Sequence, residues 1–257
     1  MIRIEQATVK FGGITAVDNL SFDIPTGRIT GLIGPNGAGK TTMFNAIAGH
    51  VPLNDGKVFL LDQDISSLPP HARARMGLAR TFQIPHEFTR LTVLENLMAA
   101  ATMPLGENVF NVMFRRNRYR EEERAVFDQA WEMIELLEIG AVAAEKAGNL
   151  SGGQKKLLEL GRALMCQPSI ILLDEIGAGI NRTLLAKLSE KILYLNREKG
   201  LTFCLIEHDL DYVSKLCDSV VVMAQGHLLT TGTVDEVRQD ERVIEAYFGG
   251  GKYEATA

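Results

Sequence analysis

At 257 residues, with 46% hydrophobic and 23% charged residues, the chain can bury a sizeable core and has the composition of a globular protein, as one large domain or a domain carrying a subdomain. Its formal net charge of -5 argues against a dedicated nucleic-acid binder, whose footprint is a basic face. Cys166, Cys204 and Cys217 lie in apolar stretches and read as reduced core thiols of a cytosolic protein, while the lack of a signal-peptide core or of an apolar run near the roughly 20 residues of a bilayer span leaves any membrane association to a partner.

Two short alternating segments, 2–9 and 20–24, open the chain in the pattern of an antiparallel edge sheet. Phe11 lies between them and reads either as core or as an aromatic that stacks on a purine. Residues 29–33 form a short apolar strand, and Gly34-Pro35-Asn36-Gly37-Ala38-Gly39-Lys40-Thr41 then fits G-x-x-x-x-G-K-[ST] without a mismatch. A helix opens at Thr42, carries Met43, Phe44 and Ile47 on one face and stops at Gly49.

Strand, glycine loop and helix in that order make a phosphate cradle. Glycines let backbone N–H groups turn inward around phosphate oxygens, and the helix aims its positive end at the same anion. Lys40 sets a cation against the β- and γ-phosphates of ATP, and the Thr41 hydroxyl can ligate the Mg²⁺ that bridges them. The expected nucleotide contacts run from Gly34 through Thr42.

Further on, Asn54-Asp55-Gly56 reads as a turn and 57–65 as a returning strand, and Arg80-Thr81-Phe82-Gln83 precedes Pro85, which stops regular structure. From 92 to 161 the pattern is mainly helical, with a longer run at 121–137. The charge run from Arg115 to Glu123 is most simply a solvated helix start, with contact to lipid headgroups as the alternative. Leu150-Ser151-Gly152-Gly153-Gln154 precedes another helical run. Ser151 and Gln154 fit a capping box, and the glycine-rich start exposes N–H donors suited to a second phosphate site.

Residues 170–173 are a continuous apolar run that ends in Asp174 and Glu175. Such a run suits a central parallel strand covered on both faces, whose C-terminal edge is where open α/β sheets hold ligands. Asp174 can hold Mg²⁺ through water, and Glu175 can act as base or orient a water. A second buried strand, 202–207, ends at His208, which reads as a contact to the γ-phosphate. A hairpin, 220–223 and 228–231 about Gln225-Gly226, finishes the sheet, and a loose tail closes the chain.

Taken together, the P-loop, Gln83, the Leu150–Gln154 signature, Asp174-Glu175 and His208 resemble the ATP-binding subunits of ABC transporters, in that family's order and over nearly the whole chain. Arg80-Thr81-Phe82-Gln83, the helical insert, Glu207-His208-Asp209 and the end Val243-Ile244-Glu245-Ala246-Tyr247-Phe248-Gly249 look like the branched-chain amino acid importer group. The resemblance implies an α/β fold with a RecA-like P-loop NTPase core, a mainly parallel sheet, an N-terminal antiparallel β subdomain and a helical subdomain inserted at about 86–160. It places the ABC domain at 1–249 and a flexible tail at 250–257. It also implies a head-to-tail dimer with an identical or similar subunit, in which Ser151, Gly152, Gly153 and Gln154 of one copy close over ATP held by Lys40 of the other. Gln83 would touch the Mg²⁺ and water site and link it to the insert, which docks on permease subunits at the cytoplasmic face of the membrane. A substrate-binding protein outside the membrane would be an indirect partner.

Two positions depart from the family pattern. Ile176 stands where Pro is usual, and Asn181 where Asp is frequent. If the backbone at 176 is already suited to proline, Ile176→Pro is expected to stabilise the fold by about 0.4–1 kcal/mol through the unfolded chain.

Overall fold

A computed structural model describes residues 1–81, 87–101 and 116–248. Gln83 and the tail expected at 250–257 lie outside the described residues. The chain divides into two compact units. One comprises Met1–Arg80, Ser169–Ile176 and the described part of Leu193–Ala257; the other comprises the described residues of Thr81–Pro168 with Gly177–Ile192.

The first unit is α/β and holds two sheets among the described residues. Its strands are β1 (Ile2–Phe11), β2 (Ile14–Ile24), β3 (Ile29–Ile33), β4 (Asp55–Leu60), β5 (Gln63–Asp64), β6 (Leu78–Arg80), β7 (Ile170–Asp174), β8 (Thr202–Ile206), β9 (Ser219–Ala224) and β10 (His227–Gly232). The first sheet has the order β2-β1-β4-β5 and is antiparallel, with Ile2 opposite both Ile24 and Leu60. The second has the order β10-β9-β3-β8-β7-β6. It is parallel from β9 through β6 and ends in the antiparallel β9–β10 pair. β3, β7 and β8 are buried at every position, which is why they read as mainly apolar runs rather than as alternation.

The helix after β3, Lys40–Ala48, packs Met43, Phe44 and Ile47 into one core with Ile2, Ile4 and Leu20 of the first sheet and Leu32, Ile170 and Ile206 of the second. Each such side chain contributes about 1.5–3 kcal/mol on burial, so the helix is fixed from both sides. In its last turn the carbonyls of Ala46 and Ile47 accept from the buried Arg73 guanidinium at 2.6 and 2.7 Å, and Ala46 also accepts from the cap Gly49 N–H, which satisfies acceptors that helix ends leave over.

Several details differ from the expectations: the second N-terminal strand, expected at 20–24, runs from Ile14 to Ile24, and Asp55 and Gly56, expected in a turn, already belong to β4. The helix begins at Lys40 rather than Thr42. The strand expected over 57–65 stops at Leu60, because Leu61 and Asp62 both take left-handed φ values, 49° and 66°, and turn the chain back into β5. Of the three thiols, Cys204 is buried but Cys166 is exposed at the end of its helix.

In the second unit, helix Val93–Ala100 starts from a Thr92/Glu95 capping box, and helix Arg116–Leu136 buries Val126, Ala130 and Ile134 at a four-residue spacing. Arg118, Arg120, Glu121 and Glu123 on that helix are exposed, as a solvated helix start requires. Lys187 and Lys191, on the helix Arg182–Lys199, both reach the Glu138 carboxylate, at 3.1 and 2.7 Å. Among the described residues no helix is long and apolar enough to cross a membrane.

Candidate active site

Three loops meet at one edge of the parallel sheet because β3, β8 and β7 are consecutive neighbours running the same way. The loop after β3 is the P-loop, β7 delivers Asp174 and Glu175, and β8 delivers His208. This is the edge at which open α/β sheets bind ligands.

Two of the P-loop glycines are required by the backbone. Gly34 has φ 146°, and a Cβ there would lie 2.0 Å from the Met223 carbonyl oxygen; Gly39 has φ 95°, with a Cβ 2.4 Å from the Ala16 carbonyl oxygen. The helix that follows starts with no side-chain cap and no acidic residue in its first turn, so its leading N–H groups are left for an anion. Lys40 is buried, and its Nζ donates to the Gly34 and Pro35 carbonyls at 2.7 and 2.9 Å. Burial pulls its pKa down, against the opposing charges of Glu175 and Asp174. Asn36, Gly37 and Thr41 are exposed, Ala38 is buried, and Pro35, Gly39 and Thr42 are half-buried.

Asp174 is buried at the end of β7, where its Oδ2 accepts from Arg80 Nη2 at 2.9 Å. Glu175 follows with φ 47° and donates its N–H to the Ile206 carbonyl at 3.0 Å. That turn carries its carboxylate to His208, with Oε1 and Nε2 2.7 Å apart. With the proton on Nε2 the imidazole donates to this carboxylate oxygen, and the contact fixes the orientation of both groups. The structure therefore brings Lys40, Asp174, Glu175 and His208 together. Asp209, next to His208, starts the following helix by accepting from the N–H groups of Asp211 and Tyr212.

Phe11 ends β1 at the tip of the hairpin and is 50% exposed. That excludes the core alternative for this residue. Gln83 lies outside the described residues.

In the second unit, Ser151 and Gln154 form the expected capping box: Ser151 Oγ accepts from the Gln154 N–H, and Gln154 Oε1 accepts from the Ser151 N–H at 2.9 Å. The two glycines between them differ. A Cβ on Gly153 would lie 1.8 Å from a Leu184 methyl and 3.3 Å from Leu184 Cγ, whereas on Gly152 it would meet nothing nearer than 3.9 Å. Close helix packing explains Gly153. Neither space nor backbone conformation explains Gly152.

The family departures now have local explanations. Asn181 Oδ1 accepts from the Leu184 N–H at 2.9 Å and starts the helix at Arg182; Asn and Asp do this equally well. The Ile176 side chain is 4% exposed, and Glu175 before it sits in the left-handed region, which a following proline disfavours. The stabilisation expected from the sequence is thus reversed. Ile176→Pro loses buried apolar atoms and pushes Glu175 out of its turn, and it is expected to lower stability by about 1–3 kcal/mol. A denaturant midpoint on both variants checks this.

The site also fits a magnesium ion held largely by phosphates. It offers the hard oxygens of the exposed Thr41 and the buried Asp174. Mg²⁺ in nucleotide sites takes one or two protein oxygens and completes its shell from phosphate and water.

Comparison with known proteins agrees with this geometry. The ABC transporter family profile matches residues 17–178, and the profile of the branched-chain amino acid ATP-binding cassette transporter matches residues 227–253. The high-affinity branched-chain amino acid transport ATP-binding protein LivG of Escherichia coli K12 is 36% identical over 249 residues, covering 97% of this chain and 98% of that protein. A crystal structure of a nucleotide-free ATP-binding cassette from an ABC transporter superposes with a TM-score of 0.84 at 37% identity, over 97% of this chain and 99% of that one. The ADP conformation of an ATP-binding cassette of an ABC transporter superposes with a TM-score of 0.82 at 36% identity, over 97% and 98%.

Proposed function

The chain belongs to the ABC transporter family as an ATP-binding, ATP-hydrolysing subunit, and on that premise we propose that it energises an importer of branched-chain amino acids. The observation that carries the catalytic part is the meeting of Lys40, Asp174 and the Glu175–His208 pair at the edge of β3, β8 and β7. The substrate reading rests on similarity to LivG and on the match of residues 227–253.

In this reading the P-loop amides from Gly34 to Thr42 cradle the phosphates, and Lys40 leaves its two carbonyl partners to face the β- and γ-phosphates. Thr41, Asp174 and Gln83 would hold Mg²⁺. The ion supplies charge neutralisation between the phosphates. Glu175 takes a proton from the attacking water, and His208 holds the Glu175 carboxylate and touches the γ-phosphate. Phe11 stacks on the adenine.

Ser151, Gly152, Gly153 and Gln154 of a second subunit close over the ATP, head to tail. The helical subdomain, about 86–160, docks on the permease, so that closure on ATP and opening after hydrolysis move the permease between its two states. The subunit then sits at the cytoplasmic face of the membrane, held there by permease subunits, with the extracytoplasmic binding protein as an indirect partner.

Uptake of radiolabelled leucine, isoleucine and valine by cells lacking the coding gene tests the substrate. Loss of uptake, restored by the intact gene but not by a Glu175→Gln copy, is expected. Unchanged uptake with ATP hydrolysis intact in the purified protein would remove the amino acid assignment and leave the ATPase.

A further inference from the structure

Arg80 is the last residue of β6, and its guanidinium is among the most enclosed charges in the protein, with 6% of the side chain exposed. One arm, Nη1, donates to Asn45 Oδ1 at 2.6 Å; the other, Nη2, donates to Asp174 Oδ2 at 2.9 Å. The guanidinium carbon also lies 5.9 Å from the centre of the Phe44 ring. Asn45 and Phe44 belong to the helix that Lys40 begins. One planar fork thus joins the P-loop helix to the carboxylate at the end of β7.

A carboxylate with 2% of its side chain exposed needs a compensating charge at all times. A lysine would supply a point charge, while a guanidinium also fixes direction, since its donors are set in a rigid plane. With Oδ2 held by Arg80, the rotation of the Asp174 carboxyl is set, and so is the direction its second oxygen faces.

We propose that Arg80 is a positioning residue for the magnesium site, clamping Asp174 against Asn45 so that the carboxylate and the P-loop helix present their oxygens to the metal in one fixed arrangement. Arg80 does not touch the metal or the nucleotide; it acts through Asp174. Partners of this kind around ligating carboxylates typically cost about 10- to 100-fold in metal affinity when they are removed. The inference rests on the nucleotide and magnesium reading above.

The test uses Mn²⁺ as a probe, titrated into the full-length chain saturated with ADP and followed by electron paramagnetic resonance, beside ADP binding in EDTA. Arg80→Lys keeps the charge and loses the fork. It is expected to raise the Mn²⁺ Kd by about 10-fold or more while metal-free ADP affinity stays within about twofold of the parent. Asn45→Ala leaves both charges in place and frees one arm; a smaller rise in the same direction is expected. Should Arg80→Lys not fold, the Asn45→Ala titration decides alone. Unchanged Mn²⁺ affinity in the folded variants overturns the inference, as does an equal loss of metal-free ADP affinity, which would mark a general structural role. A parent chain that binds ADP but no Mn²⁺ would instead remove the metal reading on which the inference stands.

Discussion

Replacing Glu175 with Gln is expected to slow ATP hydrolysis by about 10²-fold or more while ATP affinity is kept, because the amide preserves the shape of the side chain and cannot take a proton from water. The structure sharpens this expectation. Glu175 Oε1 is held by His208 Nε2 at 2.7 Å, and a glutamine oxygen can accept the same N–H, so the turn should survive the change. With turnover blocked, ATP should lock the protein as a dimer that gel filtration resolves from the ATP-free form. Steady-state hydrolysis and elution volume check the two halves separately. Undiminished hydrolysis would show that Glu175 is not the base.

Lys40→Ala acts first on binding, and with the cation facing the β- and γ-phosphates gone, hydrolysis is expected to be lost as well. A hydrogen bond from a charged donor is worth about 1.5–3 kcal/mol, which corresponds to a rise of about 10- to 100-fold in the ATP Kd. The lysine is buried between the Gly34 and Pro35 carbonyls, and the carboxylates of Asp174 and Glu175 hold its charge against the pull of burial. The alanine variant therefore also takes the lysine donor from the Gly34 carbonyl, while the Pro35 carbonyl keeps the Ala38 N–H at 3.2 Å. Calorimetry with ATP measures the effect, and an unchanged Kd would remove Lys40 from the phosphate site.

The parts of this site that the sequence discloses are local ones. The P-loop is eight consecutive residues in which Gly34 and Gly39 are needed by the backbone itself, and the Ser151–Gln154 capping box closes within a single turn. The apolar runs at β3, β7 and β8 are legible because burial on both faces removes alternation.

What stayed hidden depends on pairing across the chain. Arg80 reaches Asp174 over 94 positions and Asn45 over 35, and neither pairing leaves a periodic signal. The turn at Leu61 and Asp62 is obscured because leucine rarely takes positive φ, although aspartate tolerates it; the antiparallel return into β5 selects it. The proline expectation at Ile176 failed for a related reason. A family pattern gives a residue type, whereas the outcome depends on the left-handed φ of Glu175 and on the apolar packing around Ile176.

The central claim is that ATP is hydrolysed at a site shared by two subunits, with Lys40 and Glu175 from one and Ser151 to Gly153 from the other. Mixing purified Lys40→Ala and Ser151→Ala proteins, each checked for a native fold, and measuring ATP hydrolysis tests it most directly. Each variant alone carries the same lesion in both of its sites, while a mixed dimer contains one site with neither lesion. Hydrolysis that is lost in each protein alone and returns on mixing is the expected result. If the Glu175→Gln protein pairs with itself on ATP and the mixture still stays inactive, the shared site is contradicted.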